Sequence, residues 1–412
     1  MEQLSDIAAA VIFGMSGING EDGNRTWVDE STREAYRVTD AAMVRLAEEL
    51  LAADDDLVTI QTPNPHQDAR WFPEAGLGLF LHWGIHSVAG AQPSWAMIKD
   101  YPYAGPVPLY PPDRYYALAD QFDPQNFHPE RWLRAAKEAG FEYAVLTAKH
   151  HDGYALWPSR YGNFSTAQYL DGRDLVGEYV EACRAVGLKV GLYFSPRDWR
   201  YPDFPVSPHG FDHNRRDERP TIDDPEANRR AGRSFFAFTI AQLHELLTRY
   251  GKIDLIWFDG MNDWNGGINT NSRAVYGWMR SLQPGLVIND RWDKVQDPDS
   301  TGGDVAFGDF STHEIRHATT LPDGWWEHCD LWATGTWGYS REVRFEDTEW
   351  LIENLIRARK WGGNLLANVG PQPDGEMPPE FYTACRELQA WMSAHPFRLH
   401  EYRAETEGWR LS

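Results

Sequence analysis

From about residue 71 onward, short apolar runs alternate with longer stretches in which apolar residues recur every three or four positions. The runs read as buried strands and the stretches as amphipathic helices. Eight strands are expected: Leu77–His82, Tyr143–Ala148, Lys189–Ser195, Asp254–Phe258, Leu286–Asn289, Val305–Asp309, Leu331–Thr334 and Asn364–Val369. Among the helical stretches between them are PERWLRAAKEAG at 129–140, LVGEYVEACRAVG at 175–187 and EDTEWLIENLIRARKWGG at 346–363. Repeated strand–helix units need a mostly parallel sheet, because parallel strands require a crossover. Eight such units predict an α/β fold, a (β/α)8 TIM-like barrel, rather than an open doubly wound sheet. A dinucleotide fold is disfavoured, since no GxGxxG follows the first strand.

The first 67 residues read differently. Asp40 is placed to cap a helix whose Met43, Leu46, Leu50 and Leu51 form an apolar stripe over Arg45, Glu48 and Glu49. The breaker TPNPHQD at 62–68 follows. The expected organisation is a partly helical N-terminal extension over 1–67, a catalytic barrel over 68–395 and a tail over 396–412, the tail too short for a full C-terminal β-sandwich.

Composition narrows the function. With 39 Lys+Arg against 61 Asp+Glu, the net charge is −22, which argues against nucleic acid or anionic lipid as partner. The three cysteines, Cys183, Cys329 and Cys385, lie far apart and outside any CxxC pattern, so neither a disulfide framework nor a zinc knuckle is expected. The N-terminus carries Glu2 and Asp6 where a secretion signal needs positive charge, and no apolar run approaches membrane-spanning length. A cytoplasmic location is therefore the default expectation. Tryptophan stands out: 19 residues, equal to Phe and above Tyr at 18, a surplus of flat rings that suits stacking on sugar faces.

In a (β/α)8 barrel the site lies at the C-terminal ends of the strands. Strand one ends in His82-Trp83-Gly84, strand two in Lys149-His150-His151-Asp152-Gly153, and strand three in Tyr193-Phe194-Ser195. Strand four ends in Trp257-Phe258-Asp259-Gly260, strand five in Asn289-Asp290-Arg291-Trp292, and strand six in Asp309, followed by Thr312-His313-Glu314. Each group has an ordinary use: a core histidine, a turn aspartate, a surface ion pair. What separates them from that use is coincidence, six successive strand ends all bearing groups fit for hydroxyl recognition or acid–base work.

Two carboxyls among His, Trp, Tyr and Arg suit glycoside hydrolysis, with one ionised nucleophile and one protonated acid. Asp259 is the better nucleophile, because a strand end fixes it and Arg291 with nearby histidines would hold it ionised. Glu314 and Glu327, the latter behind Trp325 and Trp326, are both eligible as the acid. A metal hydrolase using His82, His150, His151 and Asp259 is the rival. No HxH on strand one and no HExxH is present, and adjacent His150 and His151 would point to opposite faces if the chain stays extended. No metal and no cofactor is expected.

These motifs, in this order, resemble glycoside hydrolase family 29, the retaining α-L-fucosidases. The resemblance rests on WFPEAGLGLFLHWGIHSV at 71–88, FDPQNFHPERWLRAAKEAGFEYAVLTAKHHDGYALWPS at 122–159 and DLVGEYVEACRAVGLKVGLYFSPRDW at 174–199. IDLIWFDG at 253–260, NDRW at 289–292, TWGY at 336–339 and GGNLLANVGPQPDGEMPP at 362–379 continue it, so that it spans roughly 68–395. It implies an exo-acting, metal-independent double displacement through a fucosyl–enzyme intermediate on a fucosylated oligosaccharide or glycoconjugate. Asp259 would be the nucleophile. His82, Trp95, His150, His151, Tyr193 and Arg291 would bind the sugar and the nucleophile, with Trp257 and Trp337 giving apolar surface. The acid/base would be the Glu of a T-x-E segment, Glu314, or that of a W-E segment, Glu327; Glu314 is favoured.

The chain departs from the pattern at Ser94-Trp95-Ala96, where many members carry E-W-Y. That keeps a related exo-glycosidase such as an α-L-galactosidase in view, and beyond it a catalytically dead glycan-binding protein. The short tail leaves room for a neighbouring subunit in a homo-oligomer to complete the rim.

Overall fold

The computed structural model describes residues 29–54, 58–97, 110–202, 224–260, 268, 270–292, 307–333, 335–341 and 344–394. Eight parallel strands form one sheet: β1 Leu77–Leu81, β2 Tyr143–Lys149, β3 Lys189–Phe194, β4 Leu255–Phe258, β5 Val287–Ile288, β6 Phe310–Glu314, β7 Trp325–Leu331 and β8 Asn364–Val369. Their order is β5-β4-β3-β2-β1-β8-β7-β6. The outer strands meet as well. Asn289 forms a parallel bridge with Phe310, Asp290 N donates to Phe310 O at 3.0 Å, and Asp309 N donates to Ile288 O at 2.7 Å. The ring is a (β/α)8 barrel.

Eight helices of seven or more residues accompany the strands among the described residues: α1 Glu30–Tyr36, α2 Ala41–Ala52, α3 Pro129–Glu138, α4 Leu175–Val186, α5 Pro225–Arg249, α6 Ser272–Leu282, α7 Thr348–Arg359 and α8 Pro379–Ala394. The apolar stripes decide how they lie. In α3, Trp132, Leu133 and Ala136 are buried while Arg131 and Arg134 face solvent. Helix α4 packs on β2 and β3, and α7 on β8. Asp40 caps α2 through the amides of Ala42 and Met43, and α2 packs on α5. Tyr36 of α1 is buried against Tyr201 and Phe238, with ring centroids 5.5 and 5.1 Å away. All three cysteines are free and buried. No described helix is long and apolar enough to cross a membrane. Residues 396–412 lie outside the described residues.

The barrel interior holds Phe80, Tyr143, Val145, Tyr193, Leu255, Trp257, Val287, Phe310, Cys329 and Leu366. Rings of this size need relief elsewhere. Gly78 supplies it, since a Cβ there would stand 2.2 Å from the Tyr143 ring.

Two expected strands are displaced. Strand six does not end at Asp309 but begins just after it. The Asp309 carboxylate accepts from the amides of Ile288 at 2.8 Å and Asn64 at 2.7 Å and pairs with Arg280, so it ties the strand's entrance rather than facing a pocket. Strand seven ends at Leu331 instead of starting there; Thr334 lies outside the described residues. The reason is compositional. FSTHE in β6 is polar after its first residue and WWEHCDL in β7 carries Glu, His and Asp within it, so neither shows the continuous apolar run that marks a fully buried strand.

The shift changes the place of Glu327. It sits in mid-β7, fully buried, accepting from Tyr143 Oη at 2.5 Å and Trp257 Nε1 at 3.0 Å. Burial pushes its carboxyl up to about 7, the two hydrogen bonds pulling the other way. A raised folded-state value means that the protonated form carries the stability. That stability is full below the ordinary value of 4.5 and is lost as the pH rises towards 7. Glu327→Gln, which keeps an acceptor and has no charge to develop, should therefore gain stability relative to the parent between pH 5 and 8, by as much as about 3 kcal/mol. Urea unfolding at the two pH values measures it. The opposite slope would mean that Glu327 is ionised in the barrel.

Candidate active site

Asp259 follows the last residue of β4, two positions after Trp257, so both side chains turn to the barrel axis. A side-chain clip fixes this strand end. Asn289 accepts from Phe258 N at 2.8 Å and donates to Phe258 O at 2.9 Å. Gly260 then turns the chain away with φ +72°, and a Cβ there would meet the Arg197 guanidinium at 2.6 Å. The WFDG sequence thus has a backbone reason for its glycine.

The Asp259 carboxylate has two strong partners. Tyr193 Oη donates to Oδ2 at 2.8 Å and Arg291 Nη2 to Oδ1 at 2.8 Å. Burial alone would raise its pKa; Arg291 foremost, with Arg197 and the Tyr193 hydrogen bond, outweighs burial and holds the group at about 2. The other arm of the same guanidinium, Nη1, lies 2.5 Å from Glu314 Oε2 at the end of β6. One arginine therefore spans two carboxyls from different strands, and it also lies over the Trp257 ring at 4.8 Å.

Three imidazoles complete the polar wall, each with Nδ1 held from behind. His82 Nδ1 is 2.7 Å from Asn368 Oδ1. Because Asn368 Nδ2 donates to Trp337 O at 2.8 Å, its oxygen faces His82, and Nδ1 carries the hydrogen. His150 Nδ1 is 2.6 Å from Ser94 Oγ, and His151 Nδ1 is 2.6 Å from Ser195 Oγ. The Ser195 hydroxyl hydrogen goes to Arg197 O at 3.0 Å, so His151 donates through Nδ1 and its Nε2 is a lone pair. Burial lowers His82 to about 4, His151 to about 3, and His150 well below the usual value. At neutral pH all three are uncharged. The 3.4 Å approach of His151 Nε2 to Asp259 Oδ2 is consequently no ion pair: both atoms are acceptors, each open to a donor such as a sugar hydroxyl.

The pocket is lined by Phe80, His82, Pro93, Trp95, His150, Tyr193, Trp257, Asp259, Glu314 and Trp337, and measures about 420 Å³ including its open mouth. Its floor is a stack. His150 lies on one face of Tyr193 (5.4 Å, 3°), and Trp257 lies 5.5 Å away at 19°. A larger cavity between α1, α2 and α5 is lined by only one carboxylate, Glu48. Chemistry rather than size selects the barrel pocket.

The strand-end candidates converge, with three qualifications. Glu327 is not in the pocket: it lies beneath Trp257, and both its oxygens are engaged. Arg291 and His151 stand just behind the lining. His150 and His151 do not diverge, because β2 ends at Lys149 and the turn brings their rings to 4.2 Å. Their donor atoms and Asp259 accordingly lie within 4.8 Å of one another, a spacing that would admit a metal ion. The electrostatics oppose it, since Arg291 and Arg197 act on the same carboxylate. Phe80 and Pro93 escape sequence reading because nothing distinguishes them from core. Asn368 sits in the LLANVGP segment at the end of β8, and its amide among apolar neighbours was the available signal.

The model of the family described as alpha-L-fucosidase matches residues 51–396. The rat tissue alpha-L-fucosidase is 32% identical over 363 residues, covering 82% of this chain and 73% of that protein. The human tissue enzyme is 30% identical over 379 residues, covering 85% and 76%. Among solved structures, a GH29 alpha-L-fucosidase from Bacteroides thetaiotaomicron superposes with a TM-score of 0.68 at 29% identity, covering 82% of this chain and 75% of that one. A trapped covalent intermediate of a fucosidase from the same organism, in complex with 2-fluoro-fucosyl fluoride, gives 0.66 at 28% identity, with coverages of 82% and 77%. With the family's model matched across most of its length, this chain belongs to the α-L-fucosidases of glycoside hydrolase family 29.

Proposed function

We propose that this chain is a retaining, exo-acting α-L-fucosidase that removes terminal fucose from glycans, with Asp259 as nucleophile and Glu314 as acid/base. The observation that carries the reading is the shared guanidinium: Arg291 ties an ionised, strand-fixed carboxylate to a second carboxyl at the pocket's edge. Retaining glycosidases need their two carboxyls close, with no room left for a water between them. One arginine side chain holding both meets that need.

In the first step an Asp259 oxygen bonds to the anomeric carbon, while the glycosidic C–O bond breaks and the leaving oxygen takes the Glu314 proton. Asp259 thereby loses its charge as Glu314 acquires one. Arg291 touches both, so the positive charge keeps an anionic partner throughout, and no uncompensated charge is left in the pocket. In the second step Glu314 takes a proton from water, the water oxygen bonds to the anomeric carbon, and Asp259 departs as carboxylate. Tyr193 and Arg291 stabilise that departing anion. The His82 and His151 Nε2 atoms are acceptors for sugar hydroxyls, and Phe80, Trp257 and Trp337 form the apolar surface that a deoxy-sugar's methyl group requires. Glu327 acts from below, by orienting the Trp257 indole.

Three outcomes test this reading. Asp259→Gly should cut kcat/KM on an aryl α-L-fucoside by ~10³-fold or more with the near-UV circular dichroism unchanged. Added azide should restore turnover and give the glycosyl azide of inverted configuration, whereas near-parental activity would remove Asp259 from its role. Glu314→Ala should lose roughly 10²–10⁴-fold on substrates with poor leaving groups but little on the step that cleaves an activated dinitrophenyl fucoside. Azide should here yield the retained configuration; an equal loss on all leaving groups would point elsewhere for the acid. Finally, the corresponding aryl α-L-galactoside places a hydroxyl against the apolar surface and should react roughly 10–100-fold less efficiently. Equal efficiency would make the chain a broader exo-glycosidase.

A further inference from the structure

On the outer side of β7, across the barrel wall from Glu327 and Cys329, a second cluster of donor groups has no part in the sugar pocket. His328 and Asp330 are two apart on the strand and share its outward face. His317, from the turn that leaves β6, lays its ring on His328 with centroids 3.9 Å apart and 30° between planes. One donor atom from each of the three residues falls within 4.8 Å of the others.

His328 is set up in the way that a ligand histidine usually is. Its Nδ1 lies 3.1 Å from the His313 carbonyl oxygen, which can only accept, so Nδ1 carries a hydrogen. That leaves Nε2 directed at the cluster. His328 is fully buried, and its Nε2 has no hydrogen-bond partner among the described residues. A backbone carbonyl on one ring nitrogen, fixing the tautomer and aiming the other, is the arrangement found behind metal-bound imidazoles. Asp330 Oδ2 stands 3.4 Å from that nitrogen. Bonds of about 2.0–2.2 Å to a tetrahedral zinc place neighbouring ligand atoms about 3.3–3.5 Å apart. The pair already has that spacing. We propose that His317, His328 and Asp330 form a binding site for a divalent transition metal, zinc matching the two imidazoles and one carboxylate best.

The site has a structural consequence. His317 is three residues beyond Glu314, and the turn between them contains Ile315, a β-branched residue at φ +61°. That conformation is costly for isoleucine, and Ile315 is about half exposed, so packing does little to enforce it. A metal on His317 fixes the far end of this turn. Asn354 also hydrogen-bonds His317, and Arg357 faces it from α7 and opposes a dication; the ligand set must overcome that one positive charge.

The experiment uses the full chain, freed of metal by dialysis against a chelator and titrated with zinc chloride by calorimetry. One saturable equivalent is expected, together with a melting temperature that rises with free zinc and slower amide exchange over residues 315–319. Cobalt in place of zinc should give the visible absorption of a low-symmetry, four- or five-coordinate site. His317→Ala removes a half-buried side chain and should fold; it and Asp330→Asn should each abolish the bound equivalent, whereas Asp259→Asn should keep it. Failure to bind a saturable equivalent, or binding that survives both His317→Ala and Asp330→Asn, overturns the proposal and leaves a histidine–aspartate contact without metal. Loss of the equivalent in Asp259→Asn also overturns it, since the ion would then belong to the sugar pocket. Every readout is independent of glycosidase turnover.

Discussion

A charge buried in a protein must be matched by another, and in this barrel one guanidinium does the matching for two acids. Arg291 comes from the loop after β5, Asp259 from the end of β4 and Glu314 from the end of β6, so the bridge runs over the seam where the two outer strands close the ring. That seam is held by only a few backbone bonds, and β5 itself is two residues long. Side chains make up the difference. Asn289 clips β4, Asp309 binds the Ile288 amide and Arg280, and Tyr276 on α6 donates to Asn289 O at 2.8 Å. The polar ties around β5 are thus what give the Arg291 bridge a fixed geometry.

The imidazoles obey a complementary rule. Burial keeps them uncharged, and a neutral imidazole offers one donor and one acceptor. Ser94, Ser195 and Asn368 occupy the Nδ1 positions. Among them, the oxygen or hydroxyl geometry behind His82 and His151 assigns the hydrogen to Nδ1, so those two rings present acceptors to the pocket. Sugar hydroxyls can donate to such acceptors without bringing in a compensating charge. A site built on charged histidines would compete with Arg291 for Asp259.

Much of this was legible in the chain because barrel strands are buried on both faces and read as continuous apolar runs. Six of the eight announced themselves in that way, and the residues after them converge as the topology requires. The two that did not, β6 and β7, are the strands whose polar residues have work to do. Glu314 faces the pocket, Glu327 holds Trp257 and Tyr143, and His313 lends its carbonyl to His328. Placing strand seven too late in the chain made Glu327 look like a loop acid. The orientation of His150 and His151 was hidden for a different reason: alternation predicts opposite faces only while a strand lasts, and β2 stops one residue before them. Partners such as Asn368 and Ser195 were invisible because their value lies in which atom they hold, a property of three-dimensional approach rather than of sequence spacing.

Glu327 and Asp259 together explain how one barrel shifts two acids in opposite directions. Both are deeply buried, and each accepts hydrogen bonds from a tyrosine hydroxyl and from a nitrogen donor. For Glu327 the donors are neutral, Tyr143 and the Trp257 indole, and burial prevails: the carboxyl rises to about 7. For Asp259 the nitrogen donor is a full cation, and the balance reverses to about 2. Neutral hydrogen bonds of good geometry therefore leave the buried Glu327 carboxyl above its ordinary value, whereas the arginine brings Asp259 below it. It follows that, of Asp259 and Glu327, the eligible nucleophile is Asp259, the one that the guanidinium reaches. An acid one layer down, however well hydrogen-bonded, serves as part of the floor.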